Sequence, residues 1–219
     1  MPLNNYTANT RMISDLNKQR FEYIWHLYYE NKTDKDLPFA DHIPCDPKVW
    51  QFPKALELYH DIVFKTMPEA FKDKTILDVG CGTAWYLGCM EDSVKHYKGI
   101  DIDDKNIKYA KIMSNNVAID SSINLHSIET YDCRADTILM LSVTHELDNV
   151  EKALQRFNSE YLVMDSWEKF HGNHLNDHID LLRGKGYQLE HQTEWGDPPK
   201  EYKKRFILHF HRQHLKNPI

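Results

Sequence analysis

Five short apolar runs recur between residues 74 and 165, each bounded by charge or glycine and each following a stretch able to form a helix or a connection. They are residues 74–79 (KTILDV), 97–102 (YKGIDI), 123–128 (INLHSI), 136–143 (DTILMLSV) and 161–165 (YLVMD). Runs of this length without strict polar alternation suit strands covered on both faces. Their alternation with helix-length segments predicts a parallel sheet with helices on either side. The rhythm then changes. Residues 187–195 and 205–211 (RFILHFH) are two strand-like runs whose connection, GDPPKEYKK, is too short for a crossover helix, so they predict an antiparallel hairpin. The expected fold is α/β: a doubly wound, seven-stranded, mostly parallel sheet with an antiparallel C-terminal hairpin strand.

Ahead of this pattern, Met12, Leu16, Phe21, Ile24, Leu27 and Tyr28 recur at helical spacing. Prolines at 38, 44 and 47 forbid a helix through the stretch that follows, which reads as a long loop. Leu56, Tyr59, Ile62 and Val63 then mark a second amphipathic helix, with Pro53 suited to its first turn. The predicted division is an N-terminal helical cap and lid over residues 1–70 and the α/β domain over residues 71–219.

Charge and cysteine usage narrow the partners. With 33 acidic against 27 basic side chains and a formal charge of -6, bulk attraction to a polyphosphate is weak, so a nucleic acid would need a local basic patch. Residues 200–206 (KEYKKRF) and 211–216 (HRQHLK) are the candidates, with a solvated hairpin and tail as the plainer reading. Four cysteines show no C-x-x-C pair, and neither a signal peptide nor a long apolar run is present. The expectation is a reduced, cytoplasmic protein with no membrane segment. Nothing in the sequence selects an oligomeric state.

The sharpest local signal lies at residues 75–84 (TILDVGCGTA), where a buried strand runs straight into a glycine turn. Small residues there let the backbone approach a ligand closely. A dinucleotide site needs a third glycine where this chain has Trp85, and no G-K-[ST] follows for a phosphate loop. Asp78 at the strand end can hold an ammonium group. Asp101, about twenty residues beyond Gly80, stands at the spacing of an acid that binds ribose hydroxyls. Two acids ending adjacent strands would bracket a nucleoside carrying an amino acid.

TILDVGCGTA followed by KGIDID resembles the first two motifs of class I S-adenosylmethionine-dependent methyltransferases, and the likeness covers roughly residues 74–165. The resemblance implies the Rossmann-like methyltransferase fold, S-adenosylmethionine as cofactor, and Asp78, Gly80, Cys81 and Gly82 around its methionine portion. It further implies Asp101 on the ribose hydroxyls and Ile102 against adenine. Glu129 would lie near the adenine amino group, with Leu141 and Ser142 beneath the sulfonium. Where the family often has a third glycine, this chain has Ala84, whose methyl group would tighten the methionine pocket.

Methyl transfer from a sulfonium is an in-line displacement, so alignment is the main task and a base is needed only when the acceptor must lose a proton. His145, leaving the fourth strand, is the candidate base, since its unperturbed pKa lies near neutrality. Glu146 would orient it or favour the N-terminal end of the next helix. Asp165, Trp167, Trp50 and Tyr59 are candidates for the acceptor wall, with core packing as their plainer role. His171, His174 and His178 lack the acid of H-E-x-x-H and any cysteine partner, which favours a surface helix, and no metal is expected. Cys45 precedes the cofactor strand and reads as structural. LSVT stands where amino-group DNA methylases have N-P-P-Y. The leading expectation is methylation of a small-molecule acceptor at oxygen or nitrogen. Residues 50–54 (WQFPK) faintly resemble a segment of enzymes that modify wobble uridine, so a tRNA-modifying methyltransferase is the alternative. A catalytically silent cofactor-binding protein of the same fold is the other.

Overall fold

The computed structural model describes residues 61–84, 86, 87, 90, 94–115, 117, 119–141, 143, 144, 147, 149–169, 174–194 and 202–213. The predicted cap over residues 1–70 therefore lies outside the described residues except for its last ten positions. These form a π-helical turn, Asp61–Lys65, and a 3-10 turn, Pro68–Ala70, whose Val63, Met67 and Ala70 are buried against the sheet.

Seven strands make one sheet: β1 Thr75–Val79, β2 His96–Asp101, β3 Ser121–Leu125, β4 Thr137–Met140, β5 Tyr161–Lys169, β6 Tyr187–Glu194 and β7 Tyr202–Arg212. Their order is β3-β2-β1-β4-β5-β7-β6, with β1 to β5 parallel and β7 antiparallel to both of its neighbours. This is the predicted topology: the hairpin formed by β6 and β7 folds back so that its second strand, not its first, pairs with β5. The chemistry of β7 explains the choice. Arg205 to Phe210 are all buried, which suits an interior strand, whereas Gln188, Glu190, His191 and Gln192 of β6 are exposed, as an edge strand requires.

Each element follows from its residues. β1 and β4 carry apolar or β-branched side chains buried on both faces, as expected for central parallel strands. α1, Asp104–Asn115, starts where the Asp103 carboxylate accepts the Lys105 backbone N–H at 2.8 Å, and it buries Ile107, Ala110 and Met113 at helical spacing. α2, Val150–Arg156, is capped by Asn149, which accepts the Lys152 N–H. Its last carbonyls are covered by the Lys185 ammonium, which donates to Leu154, Gln155 and Phe157. α3, His174–Gly184, buries Leu175, His178, Ile179 and Leu182, an i, i+3, i+4, i+7 stripe. Two apolar clusters fill the two faces of the sheet, one containing Ile76, Tyr97 and Leu139, the other Leu77, Ile138 and Leu162.

Strand bounds differ from the sequence reading at several places, among them β3, which spans Ser121–Leu125 rather than 123–128, and β7, which begins at Tyr202 rather than at 205. The run at 136–143 is a strand only over Thr137–Met140, because its pairing ends at Leu139 against β1 and at Met140 against β5. β5 runs on to Lys169, four residues past the expected end, because the antiparallel ladder with β7 continues to pair it. Among the described residues no helix is long and apolar enough to cross a membrane.

Candidate functional site

In an open parallel sheet ligands bind outside the carboxyl ends of the strands, at the point where the strand order reverses. Here that point lies between β1 and β4, and the turn after β1 occupies it. The turn is built from left-handed residues: Gly80 at φ +68°, Gly82 at φ +53° and Ala84 at φ +56°. Glycine tolerates this region without strain, whereas an L side chain costs about 1–2 kcal/mol. At Gly80 space is also lacking, since an added Cβ would stand 2.6 Å from Cγ2 of Val143, on the segment leaving β4. Gly80→Ala should therefore destabilise the fold by about 2 kcal/mol, measured by urea denaturation, by adding this clash to the strain of positive φ. The Ala84 methyl lies with no exposed surface in the apolar cluster, so it fills core rather than narrowing an open pocket.

The tip of β2 holds the turn in place. Gly80 and Cys81 donate their backbone N–H groups to the Ile100 carbonyl at 2.9 and 3.0 Å. Asp101 accepts the Gly82 N–H on Oδ2 and the Asp103 N–H on Oδ1, both at 2.8 Å. A carboxylate has about four lone-pair directions, so each oxygen keeps capacity for a further donor. The segment after β3 is tied to the same tip, where His126 donates its backbone N–H to the Asp101 carbonyl at 2.8 Å. Ile102, one step beyond the strand, is 77% exposed. A bare isoleucine beside a carboxylate that accepts from the turn is the apolar support a flat base would use.

Asp78, next to last in β1 and paired with Gly99 of β2, has no exposed surface. The Tyr97 hydroxyl donates to its Oδ2 at 2.6 Å, while Oδ1 is buried with no hydrogen-bond partner among the described residues. Burial pushes its pKa up to about 7, the Tyr97 hydrogen bond works against that rise, and the nearby Asp101 charge adds to it. An orphaned buried acceptor that tends to hold a proton is matched by a cationic donor, which would both satisfy and ionise it. The residues present thus fit an amino-acid-bearing adenosine, with ammonium at Asp78, hydroxyls at Asp101 and base over Ile102.

The remaining candidates are distributed as follows. Cys81 and Leu141 are buried, their side chains in the apolar cluster, which leaves their backbone for any ligand contact. Glu129 is exposed and lines a pocket with Ile128, Leu147, Asn149, Lys152, Ala153 and Arg156. Ser142, His145 and Glu146 lie outside the described residues, but their neighbour Thr144 is buried and donates its hydroxyl to Asp165 Oδ1 at 3.1 Å. Asp165 is not open to an acceptor. Arg205 donates to its Oδ2 from Nε at 3.1 Å and from Nη2 at 2.7 Å, and the guanidinium stacks 4.8 Å over the Trp167 ring. His178, read from sequence as part of a surface helix, is buried and bonded through Nδ1 to Ser166 Oγ at 2.9 Å. Burial and the neighbouring His174 lower its pKa to about 4. The residues that sequence reasoning missed are Tyr97 and Arg205. Trp50 and Tyr59 lie outside the described residues.

Known proteins share this arrangement. The family model described as a methyltransferase domain matches residues 52–202. No curated protein sequence matches the chain. Among solved structures, the magnesium protoporphyrin IX methyltransferase of Synechocystis PCC 6803 with bound S-adenosylmethionine superposes at a TM-score of 0.59 and 14% identity, over 94% of this chain and 100% of that one. The N-methyltransferase NodS of Bradyrhizobium japonicum WM9 gives a TM-score of 0.57 at 14% identity, over 71% of this chain and 94% of that one. The ribosomal protein L11 methylase of Lactobacillus delbrueckii subsp. bulgaricus gives 0.55 at 16% identity, over 74% and 80%. At such identities the likeness is one of fold. The family match over most of the chain, joined to a seven-stranded sheet with its last inserted strand reversed, shows that this chain belongs to the class I S-adenosylmethionine-dependent methyltransferases.

Proposed function

We propose that this methyltransferase carries a methyl group from S-adenosylmethionine to the oxygen or nitrogen of a small-molecule acceptor. The observation that supports the cofactor half is the buried Oδ1 of Asp78, without a hydrogen-bond partner among the described residues, on the strand beside the one whose tip carries Asp101 and the exposed Ile102. The bound cofactor supplies an electrophilic methyl group, whose bond to sulfur breaks as an acceptor lone pair attacks from the opposite side. Asp78 anchors the ammonium end, Asp101 the ribose hydroxyls and Ile102 one face of the base. Ser142 and the Leu141 backbone would hold the sulfur end of the cofactor, and Glu129 would receive the adenine amino group. His145, following anchored Thr144, accepts the proton that a hydroxyl or ammonium acceptor must lose, and Glu146 orients it.

A small acceptor is favoured over tRNA by charge. The residues at and just beyond the tip of β2 include Asp101, Asp103 and Asp104, the last paired with Lys108, and with a formal charge of -6 the chain offers a polyphosphate no bulk attraction. The basic tail beyond residue 213 lies outside the described residues. Arg205, read from sequence within a basic patch, is committed to Asp165.

The test has two arms. In isothermal titration with S-adenosylhomocysteine, Asp101→Ala should weaken binding by about 10- to 100-fold, the loss of charge-assisted hydrogen bonds worth about 1.5–3 kcal/mol. Unchanged affinity would refute the ribose contact. In the second arm, a cell extract is incubated with methyl-labelled S-adenosylmethionine and separated into metabolite and tRNA fractions. Label in metabolites supports the proposed acceptor, and label in tRNA overturns it in favour of the RNA-modifying alternative. Tight cofactor binding with label in neither fraction would favour a silent binding protein.

A further inference from the structure

Among the described residues two carboxylates have no exposed surface, and their surroundings differ. Asp165 has a guanidinium and a hydroxyl, one for each oxygen. Asp78 has only a phenol, and for one oxygen alone. Register explains how the phenol reaches it. Asp78 pairs with Gly99, so residues 97, 99 and 101 of β2 share the face on which the Asp78 side chain lies. A Cβ built at Gly99 would stand 3.1 Å from Cε1 of Tyr97 and 2.9 Å from Cys81 Sγ and from Ile123 Cδ1. The missing side chain is thus the space across which the Tyr97 ring lies, and it brings the hydroxyl within 2.6 Å of Asp78. Tyr97 is itself fully buried and follows Asp78 by nineteen positions.

A carboxylate on a short stem has one soft torsion that decides where its oxygens point. Fixing Oδ2 fixes Oδ1 as well. We propose that Tyr97 is a positioning residue for the cofactor: its hydroxyl holds Asp78 so that the remaining oxygen is presented to the ammonium group of S-adenosylmethionine. This rests on the cofactor reading above and adds to it a residue that lies in the strand rather than in either motif. Tyr97 touches no ligand atom and acts only through Asp78.

The electrostatic setting makes the role measurable. The titratable groups around the pair are Asp101 from the tip of β2, Cys81 from the turn and Tyr86 beyond it, while β4 places only Leu139 opposite Asp78. Among the described residues no cation stands beside the pair, and the Tyr97 hydrogen bond favours the ionised carboxyl against burial and the Asp101 charge. Loss of the hydroxyl should therefore both misorient Asp78 and shift its ionisation to higher pH.

The experiment is a titration of wild type and Tyr97→Phe with two ligands, S-adenosylhomocysteine and 5′-methylthioadenosine, between about pH 6 and about pH 8. The second ligand keeps the adenosine and lacks the amino acid, so it reports on the rest of the cleft. Tyr97→Phe should weaken S-adenosylhomocysteine about tenfold, the worth of one oriented charged hydrogen bond, and leave 5′-methylthioadenosine within about twofold. The pH at which S-adenosylhomocysteine affinity reaches half its plateau should rise. Site-specific fluorination of the Tyr97 ring, which makes the hydroxyl more acidic without removing it, should lower that pH, and it keeps the test open should the phenylalanine variant fail to fold. Equal losses for both ligands, or an unmoved pH profile in both altered proteins, overturn the positioning role. Failure of the wild type to bind either ligand would instead overturn the S-adenosylmethionine reading and the inference with it.

Discussion

Asp78→Asn should make the unliganded protein more stable at pH 8 while removing its grip on the amino-acid end of the cofactor. The sign follows from proton counting. The Asp78 pKa is about 7 in the folded chain against an ordinary 3.8, so between these values the native state holds a proton that the unfolded state has released. Stability contributed by the protonated carboxyl is fully present below about pH 4, falls as pH rises toward 7, and is level beyond it. Asparagine never ionises, keeps an oxygen for the Tyr97 hydroxyl, and avoids that loss. The difference between variant and wild type should grow from near zero below about pH 4 to about 4 kcal/mol at pH 8, since the pKa rises by about three units and each unit is worth about 1.4 kcal/mol. For a chain of this size that is a rise in melting temperature of about 8–16 °C. Thermal melts across pH check it. A pH-independent difference, or a less stable asparagine variant at pH 8, would show that Asp78 is not a strained acid. S-adenosylhomocysteine should close the gap from the other side, stabilising wild type far more than the variant. A carboxylate with no cation beside it among the described residues, kept where an amide should be more stable, is what a binding site for a cation requires, at a cost to the fold.

Much of this site was legible because its information is local. A buried strand ending in Asp78, followed at once by Gly80 and Gly82, announces a turn that admits a ligand. Asp101 stands at a spacing that one helical crossover fixes. The five parallel strands and reversed hairpin were equally legible, since each run is short, apolar and bounded. What was hidden depends on register between distant strands. Tyr97 reads as one more apolar residue of a strand until the pairing of Asp78 with Gly99 puts both on one face. Arg205 reads as part of a basic hairpin until β7 inserts beside β5, where Trp167 pairs with it and Asp165 lies diagonally across on the same face. His178 likewise needed the packing of α3 on β5 to become a buried partner of Ser166 rather than a surface residue. Ile102 carries the opposite lesson. It reads as the last residue of a buried strand, but β2 ends at Asp101, and the isoleucine is exposed.

Arg205→Met should cost the fold about 3–5 kcal/mol, the penalty for leaving Asp165 buried without its cation. The guanidinium is 9% exposed and the carboxylate not at all, so solvent cannot replace the lost partner. Methionine retains the apolar stem that lies against Trp167, which confines the loss to charge and hydrogen bonding. If charge is the cause, removing the carboxylate as well should restore most of the stability: Asp165→Asn in the Arg205→Met background should recover about 2 kcal/mol or more, because a neutral amide is far cheaper to bury than an unpaired anion and still accepts from Thr144. Urea denaturation of the two single variants and the double variant closes this cycle. Additive losses would mean that the pair contributes only by packing. The recovery has a second consequence for the site. A buried ion pair seldom stabilises more than apolar residues of the same shape, so its persistence points to positional definition. This pair joins β5, β7 and, through Thr144, the segment leaving β4 that carries His145. The double variant should therefore fold more stably than Arg205→Met and yet lose methyl-transfer turnover on the wild-type acceptor, whereas its affinity for S-adenosylhomocysteine should be unchanged.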